Sequence, residues 1–239
     1  MRFRASDARF GIRSVLTLAA LTIAAVPFGL LLLLVRTRWT PLLSVDHSAC
    51  DQLHRYTAEH PAFATAMKTM STLGSSAVYL TGFALVTAWL LYRRRPRPAA
   101  FTVVTVTGSA VLNAAVKRAV QRARPVVTDP LTTATGLSFP SGHAQSSVVT
   151  YATLLLIFWP AMRATWRRVA VTVAAAMVLG IGLSRAALSV HYVSDVLAGY
   201  LLGMAWFVTM TAMFAAWRQE RRSASSAVGT TGLERPGAG

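Results

Sequence analysis

Six long apolar runs, separated by short arginine-rich segments, constrain this chain more than any other feature. A hydrocarbon layer about 30 Å thick admits only backbone whose hydrogen bonds close internally, and a helix needs roughly 20 apolar residues to cross it. The runs lie at 14–35, 73–92, 99–116, 146–162, 169–188 and 193–217. They predict an all-α fold: a polytopic membrane helix bundle with six transmembrane helices. Pro27 falls inside the first run and predicts a kink there. The small residues Ala24 and Ala25 raise the alternative of a cleaved signal peptide. The run is longer than a typical signal core, which favours a retained anchor.

Charge supports the same topology. Charged residues make up 13% of the chain, about half the share of a soluble domain, and mean hydropathy is +0.48. The formal charge of +16 is carried between apolar runs, not along one soluble face. No nucleic-acid-binding motif accompanies it, so no nucleic acid is expected as a partner. Arg2, Arg4, Arg9 and Arg13 precede the first run; Arg93, Arg94, Arg95 and Arg97 follow the second; Arg163, Arg167 and Arg168 follow the fourth; Arg218, Arg221 and Arg222 follow the sixth. These segments alternate onto one side, which the positive-inside rule makes the cytoplasm. The chain thus divides into a cytoplasmic segment 1–13, a membrane domain 14–217 and a cytoplasmic tail 218–239. From Ser223 the tail is rich in Ser, Gly and Thr and is expected to be disordered.

The external segments carry the informative departures. The loop 36–72 contains His47, Asp51, His54 and His60, whose spacing fits no metal motif; an amphipathic segment on the membrane surface is expected instead. Cys50 is the single cysteine, which excludes an intramolecular disulfide and a cysteine-rich metal site. Gly180 and Gly182 predict close helix contact in the fifth run. Lys117, Arg118, Arg122 and Arg124 lie on the side that the positive-inside rule disfavours. An anionic ligand at that surface accounts for them.

Three polar clusters meet this external side. Lys117 and Arg124 are seven residues apart, about two helical turns, and are expected on one side of a helix that Pro125 ends. Pro140, Ser141, Gly142 and His143 precede the fourth span. There a glycine and a helix N-terminus with unpaired N–H groups form an anion cradle beside an imidazole. Ser184 and Arg185 lead to His191 and Asp195, which are four apart and expected on one helical face. An ionisable residue at the start of a span is expensive and functional by default. The Asp195 carboxylate would accept the proton on one imidazole nitrogen of His191 and leave the other free to attack.

In order, the clusters resemble the three-part signature of the type 2 phosphatidic acid phosphatase superfamily, PAP2: KX6RP, PSGH and SRX5HX3D. Every signature position is filled, and the resemblance covers roughly 73–217. Soluble vanadium-dependent haloperoxidases share these residues, but the apolar spans argue against that branch. The resemblance implies a metal-independent phosphoric ester or diphosphate hydrolase with no cofactor. Lys117, Arg124 and Arg185 would bind the phosphoryl oxygens, with Ser141 and the Gly142 backbone adding hydrogen bonds. His191 would be the nucleophile that forms a phosphohistidine, Asp195 its orienting partner, and His143 the acid and then the base. The implied partners are membrane lipids and a lipid phosphate or diphosphate substrate, met by an active site on the extracytoplasmic side. Family resemblance favours undecaprenyl diphosphate, with phosphatidylglycerol phosphate and phosphatidate as the other substrates. A phosphotransferase of the same family, and a non-catalytic lipid-binding or transport protein, are the alternative readings.

Overall fold

The computed structural model describes the backbone over residues 3–231 and the side chains over 14–216. The described residues form eight α-helices and one 3-10 turn: α1 (Phe3–Arg36), α2 (Thr40–Glu59), α3 (Pro61–Leu73), α4 (Ser76–Tyr92), α5 (Pro96–Val120), α6 (Gly142–Phe158) with the turn Trp159–Ala161, α7 (Ala164–Ala187) and α8 (Val193–Thr231). Of the arginines read as cytoplasmic anchors, Arg2, Arg4, Arg9, Arg13, Arg218, Arg221 and Arg222 lie outside the described side chains. Residues 232–239 lie outside the described backbone. α8 stays helical past Ser223, through residues such as Ala224 and Ala227 that favour helix.

Among the described residues, five helices are long and apolar enough to cross a membrane: α1 from Ser14, α5, α6 with its terminal turn, α7, and α8 as far as Ala216. A sixth crossing exists only if α3 and α4 are taken together, and they are bent by 41° at their junction. The span expected at 73–92 falls on α4, with its start moved past the bend. α4 begins at Ser76, because Ser75 caps it by accepting from Val78 N at 3.5 Å. At 17 residues, α4 alone is about 26 Å long, just short of the hydrocarbon layer. α1 continues as one helix through Pro27. Its Val15, Leu18, Ile23, Val26, Leu30 and Leu33 are exposed, as lipid-facing residues are.

The most extensive packing joins α6 to α8 and brings the site together. A Cβ at Gly199 would sit 2.6 Å from Ser141 O, and one at Gly203 would sit 2.8 Å from Gln145 O. Two glycines four residues apart thus let the α8 backbone lie directly on the first turns of α6. Ala144 is wholly buried along the same seam. α1 covers the other side of α8, where Phe28, Leu31 and Leu32 pack around Phe139 and Ala198. α3 lies against α7, and Met67 clusters there with Ala187, Leu188 and Val190. Gly182 makes the close approach expected of it: a Cβ there would collide with the Tyr200 hydroxyl of α8.

The loop expected on the membrane surface is folded into α2 and α3; α3 runs beside α7, and α2 meets α7 and α8 at one end of the bundle. There the C-termini of α5 and α7 meet the N-termini of α6 and α8. The basic residues Arg93, Arg94, Arg95 and Arg97 lie at the α4–α5 junction, and Arg163, Arg167 and Arg168 at the start of α7, at the opposite ends of those helices.

Candidate active site

The approach to the site starts where α5 stops. Gln121 is left-handed (φ 57°) and its N–H closes on Lys117 O. The chain then leaves the helix, so Lys117 and Arg124 do not share a helical face as the spacing suggested. The loop brings them together instead. Ser138 N donates back to Arg122 O at 2.8 Å. Arg124 ties the loop down by donating to Gly136 O and Thr135 O, both at 3.0 Å. Lys117 Nζ reaches Leu137 O at 2.6 Å. Lysine and arginine are thus held by carbonyls on one loop rather than by helix geometry.

His191 and Asp195 also meet without a common helix, because α8 begins only at Val193. Val190 N and His191 N both donate to Arg185 O, at 3.1 and 3.2 Å, which folds the α7–α8 turn back on itself. His191 is 2% exposed and Asp195 is wholly buried. Their closest approach, Nδ1 to Oδ2, is 3.6 Å, longer than a hydrogen bond. Ser138 Oγ stands between them, donating to Asp195 Oδ2 at 2.5 Å and lying 3.4 Å from Nδ1. On its other edge His191 presents Nε2 to Arg124 Nη1 at 3.2 Å. A guanidinium only donates, so the fitting tautomer carries its proton on Nδ1 and a lone pair on Nε2.

Residues that the motifs do not contain hold the carboxylate, and Asp46 holds one of them in place. Arg122 Nη1 donates to Asp195 Oδ1 at 2.6 Å, and its Nη2 donates to Asp46 Oδ2 at 2.7 Å. Asp46, on α2, accepts in turn from Ser194 N at 3.0 Å and Ser194 Oγ at 2.5 Å. Tyr192 N adds a bond to Asp195 Oδ2 at 3.0 Å, and the Tyr192 ring lies under the Arg122 guanidinium at 4.2 Å. The sequence offered Arg122 only as one more external cation and gave Asp46 no distinction. Ser138 stood unremarked two residues before Pro140.

Electrostatics follow from this arrangement. Burial works against the Arg122 charge, but Asp195 and Asp46 outweigh it and hold its pKa above the ordinary guanidinium value. Burial pulls Arg124 below that value, with Asp195 opposing. Burial also draws His191 down to about 4, against the opposing pull of Asp195. His191 is therefore neutral over most of the working pH range and keeps its lone pair.

The remaining motif residues sit around this pair. Ser141 is wholly buried and caps α6, accepting from Ala144 N at 3.5 Å, while its own N–H donates to Asp195 O at 2.9 Å. Gly142 and His143 form the first turn of α6. Arg185 is 7% exposed, donates to Ser71 Oγ of α3, and keeps a buried Nε with no protein partner. Arg185, His191, Arg124 and Lys117 all act electrostatically on the His143 imidazole. Three cations in one another's field favour a multiply charged anion between them. The loop histidines go elsewhere: His47 packs edge-on to Tyr192 at 5.1 Å, and His54 donates through Nε2 to Thr128 O at 3.0 Å. Among the described residues no His, Cys, Asp and Glu side chains group as metal ligands.

Residues 98–219, which contain all of these motif positions, match the PAP2 superfamily. The chain belongs to the PAP2 superfamily. It is similar to phosphatidylglycerophosphatase B of Bacillus subtilis (strain 168), with 27% identity over 143 residues, 59% of this chain and 70% of the relative. Its fold resembles the crystal structure of a transmembrane PAP2-type phosphatidylglycerolphosphate phosphatase from Bacillus subtilis. That likeness has a TM-score of 0.69 at 24% identity, over 79% of this chain and 94% of the other. Aquifex aeolicus LpxE gives a TM-score of 0.54 at 18% identity, over 68% and 92%. As a PAP2 phosphatase this chain is a hydrolase of phosphoric esters, carried on an all-helical, multi-pass membrane fold.

Proposed function

We propose that this PAP2 phosphatase removes the terminal phosphate of a membrane lipid at the extracytoplasmic face. The observation that carries the reading is the meeting of His143, His191 and three cations at one end of the bundle. In this mechanism Lys117, Arg124 and Arg185 hold the phosphoryl oxygens, with Ser141 and Gly142 at the α6 N-terminus beside them. His191 Nε2 attacks phosphorus in line, and the bond to the leaving oxygen breaks as His143 gives that oxygen a proton. A water then loses its proton to His143 and displaces phosphate from His191. Charge spreads over the equatorial oxygens in each step, where fixed cations stabilise it most. Asp195, oriented by Arg122, Ser138 and the Tyr192 N–H, faces the Nδ1 edge of His191 across the Ser138 hydroxyl, which favours a proton on Nδ1 and leaves Nε2 available.

Six crossings, with α3 and α4 sharing one, would put both described basic junctions on the cytoplasmic side and the site outside. Undecaprenyl diphosphate, phosphatidylglycerol phosphate and phosphatidate all carry the terminal phosphate this site would grip. The likeness to a phosphatidylglycerophosphatase supports the second of these over the first. The test is phosphate release by the purified protein in detergent from each lipid in excess EDTA. Release that persists in EDTA and disappears in His191→Ala is expected. No release from any of the three, or release that requires an added divalent metal, contradicts the reading.

A further inference from the structure

The end of the bundle opposite the active site carries a cavity of its own, about 400 Å³ between α4, α5, α6 and α8. That volume lies in the roughly 300–1,000 Å³ range of ligand pockets. α5 runs 25 residues from this cavity to the catalytic end, about 38 Å of helix, and the two sites share no residue. The cavity walls are apolar and braced against their neighbours. Trp89 of α4 lies tilted on Phe158 with ring centroids 5.5 Å apart, and Phe101 of α5 meets Phe214 of α8 edge-on at 5.0 Å. Phe101 is buried, whereas Trp89 and Leu156 are 43% and 47% exposed, so the cavity opens sideways, toward lipid.

Arg95 and Arg97 supply the charge of the lining. The Arg95 backbone is fixed from both sides: its N–H donates to Leu90 O at 2.8 Å, closing α4, and its carbonyl accepts from Ala99 N at 3.3 Å, opening α5. Its place at the mouth of the cavity is therefore set by the turn. No carboxylate lines the cavity. Among the described side chains the acidic residues are Asp46, Asp51, Glu59, Asp129 and Asp195, and all five belong to the catalytic end. The cavity thus sets guanidinium charge beside an apolar wall, with no acidic group in its own lining.

We propose that this cavity binds an acidic glycerophospholipid of the adjacent leaflet, with its phosphate on Arg95 and Arg97 and an acyl chain against the aromatic wall. Guanidinium N–H groups match phosphate oxygens in pairs, and basic pockets between helices take acidic headgroups on the cytoplasmic side of a membrane. A soluble anion would leave the apolar wall uncovered, and a zwitterionic lipid would bring its own ammonium to the arginines. In the orientation proposed above, this leaflet is the cytoplasmic one. The position of the cavity, at the far end from His143 and His191, does not depend on that orientation. The bound lipid is neither substrate nor product there; it stabilises the end of the bundle where α4 turns into α5, as any ligand of the folded state alone does.

The test is native mass spectrometry of the purified protein in detergent, titrated with phosphatidylglycerol or with phosphatidylcholine of the same acyl chains; gel filtration checks the folding of each variant. Phosphatidylglycerol should bind about tenfold or more tightly than phosphatidylcholine, and Arg95→Gln should lose about tenfold of that affinity. Ile157→Trp fills the cavity without changing charge and should weaken both lipids. Arg93→Gln removes the same charge from the same turn but not from the lining, and should stay within about twofold of the intact protein. Lys117→Gln, at the catalytic end, should leave this binding in place. Equal affinity for the two lipids, equal loss in Arg93→Gln and Arg95→Gln, or unchanged binding in Ile157→Trp overturns the site. Binding lost in Lys117→Gln and kept in Arg95→Gln moves the lipid to the catalytic end and overturns it as well. Phosphate release is not part of this readout, so its outcome leaves the phosphatase reading untouched.

Discussion

Arg122→Gln strands two carboxylates that the fold has already buried. Asp46 and Asp195 side chains are 2% and 0% exposed, and Arg122 pairs with both at 2.7 and 2.6 Å. Removing one partner of a buried ion pair costs about 3–5 kcal/mol, because the charge left behind is uncompensated. For a chain of this size that is a fall in the thermal midpoint on the order of 10 °C. Asp46→Asn is milder: Arg122 keeps Asp195, and the loss should be about 1–3 kcal/mol. In the double variant Asp46 no longer carries a stranded charge. Its loss should fall short of the sum of the two single losses by about 1–3 kcal/mol. The assay is thermal unfolding in detergent, followed by residual activity and by gel filtration. Additivity within about 0.5 kcal/mol would refute the claim that Asp46 and Arg122 act as one unit.

The same variant tests the electrostatics of the nucleophile. Burial draws His191 to about 4 while Asp195 pulls it upward. Without Arg122 the Asp195 charge acts on His191 undiminished, and the imidazole pKa rises. A protonated His191 has no lone pair on Nε2, so activity is lost as pH falls through that pKa. The acid limb of kcat/KM in Arg122→Gln should therefore move upward by about one pH unit or more, with a larger loss at pH 5.5 than at pH 8. An unmoved limb contradicts the coupling.

Two further outcomes follow from packing and topology. Gly199→Val drives a side chain against Ser141 O and Ala144; activity and thermal stability should both fall, by about 1–3 kcal/mol or more for stability. Gly29→Ala, with nothing within 4 Å, should leave both unchanged, and equal effects would remove the α6–α8 seam from the account. For topology, Thr132→Cys on a Cys50→Ser background should label with an impermeant thiol reagent in intact cells, since the proposed orientation puts the 121–141 loop on the external face. Labelling only after the membrane is opened inverts the orientation.

The clustering of Lys117, Arg124, His143, Arg185, His191 and Asp195 was legible because they fall at the fixed spacings of three motifs, with Lys117 and Arg124 on the side where the positive-inside rule disfavours cations. What held them was less so. Arg122 reads as another cation beside Arg124, and its role depends on Asp46, 76 residues away. Only the folding of α2 over the bundle end brings them together. The expected α5 face for Lys117 and Arg124 failed at Gln121, a non-glycine residue in a left-handed conformation that no local pattern announces. The break between α3 and α4 had a visible signal in Gly74 and Ser75, a glycine followed by a helix-capping serine, which the apolar run on both sides obscured. The span ends moved by only a few residues, since apolar length sets them.

The central claim is that His191 attacks and His143 supplies the proton, and a leaving-group comparison addresses it most directly. kcat/KM is measured for His191→Ala and His143→Ala on a lipid phosphomonoester and on p-nitrophenyl phosphate, with folding checked by gel filtration. An alkoxide needs protonation to leave; a nitrophenolate needs it far less. His143→Ala should lose on the order of 10²-fold or more on the lipid and clearly less on p-nitrophenyl phosphate, while His191→Ala should lose both activities alike. Near-normal turnover in His191→Ala, or leaving-group sensitivity that belongs to His191 instead of His143, would contradict the assignment of nucleophile and acid.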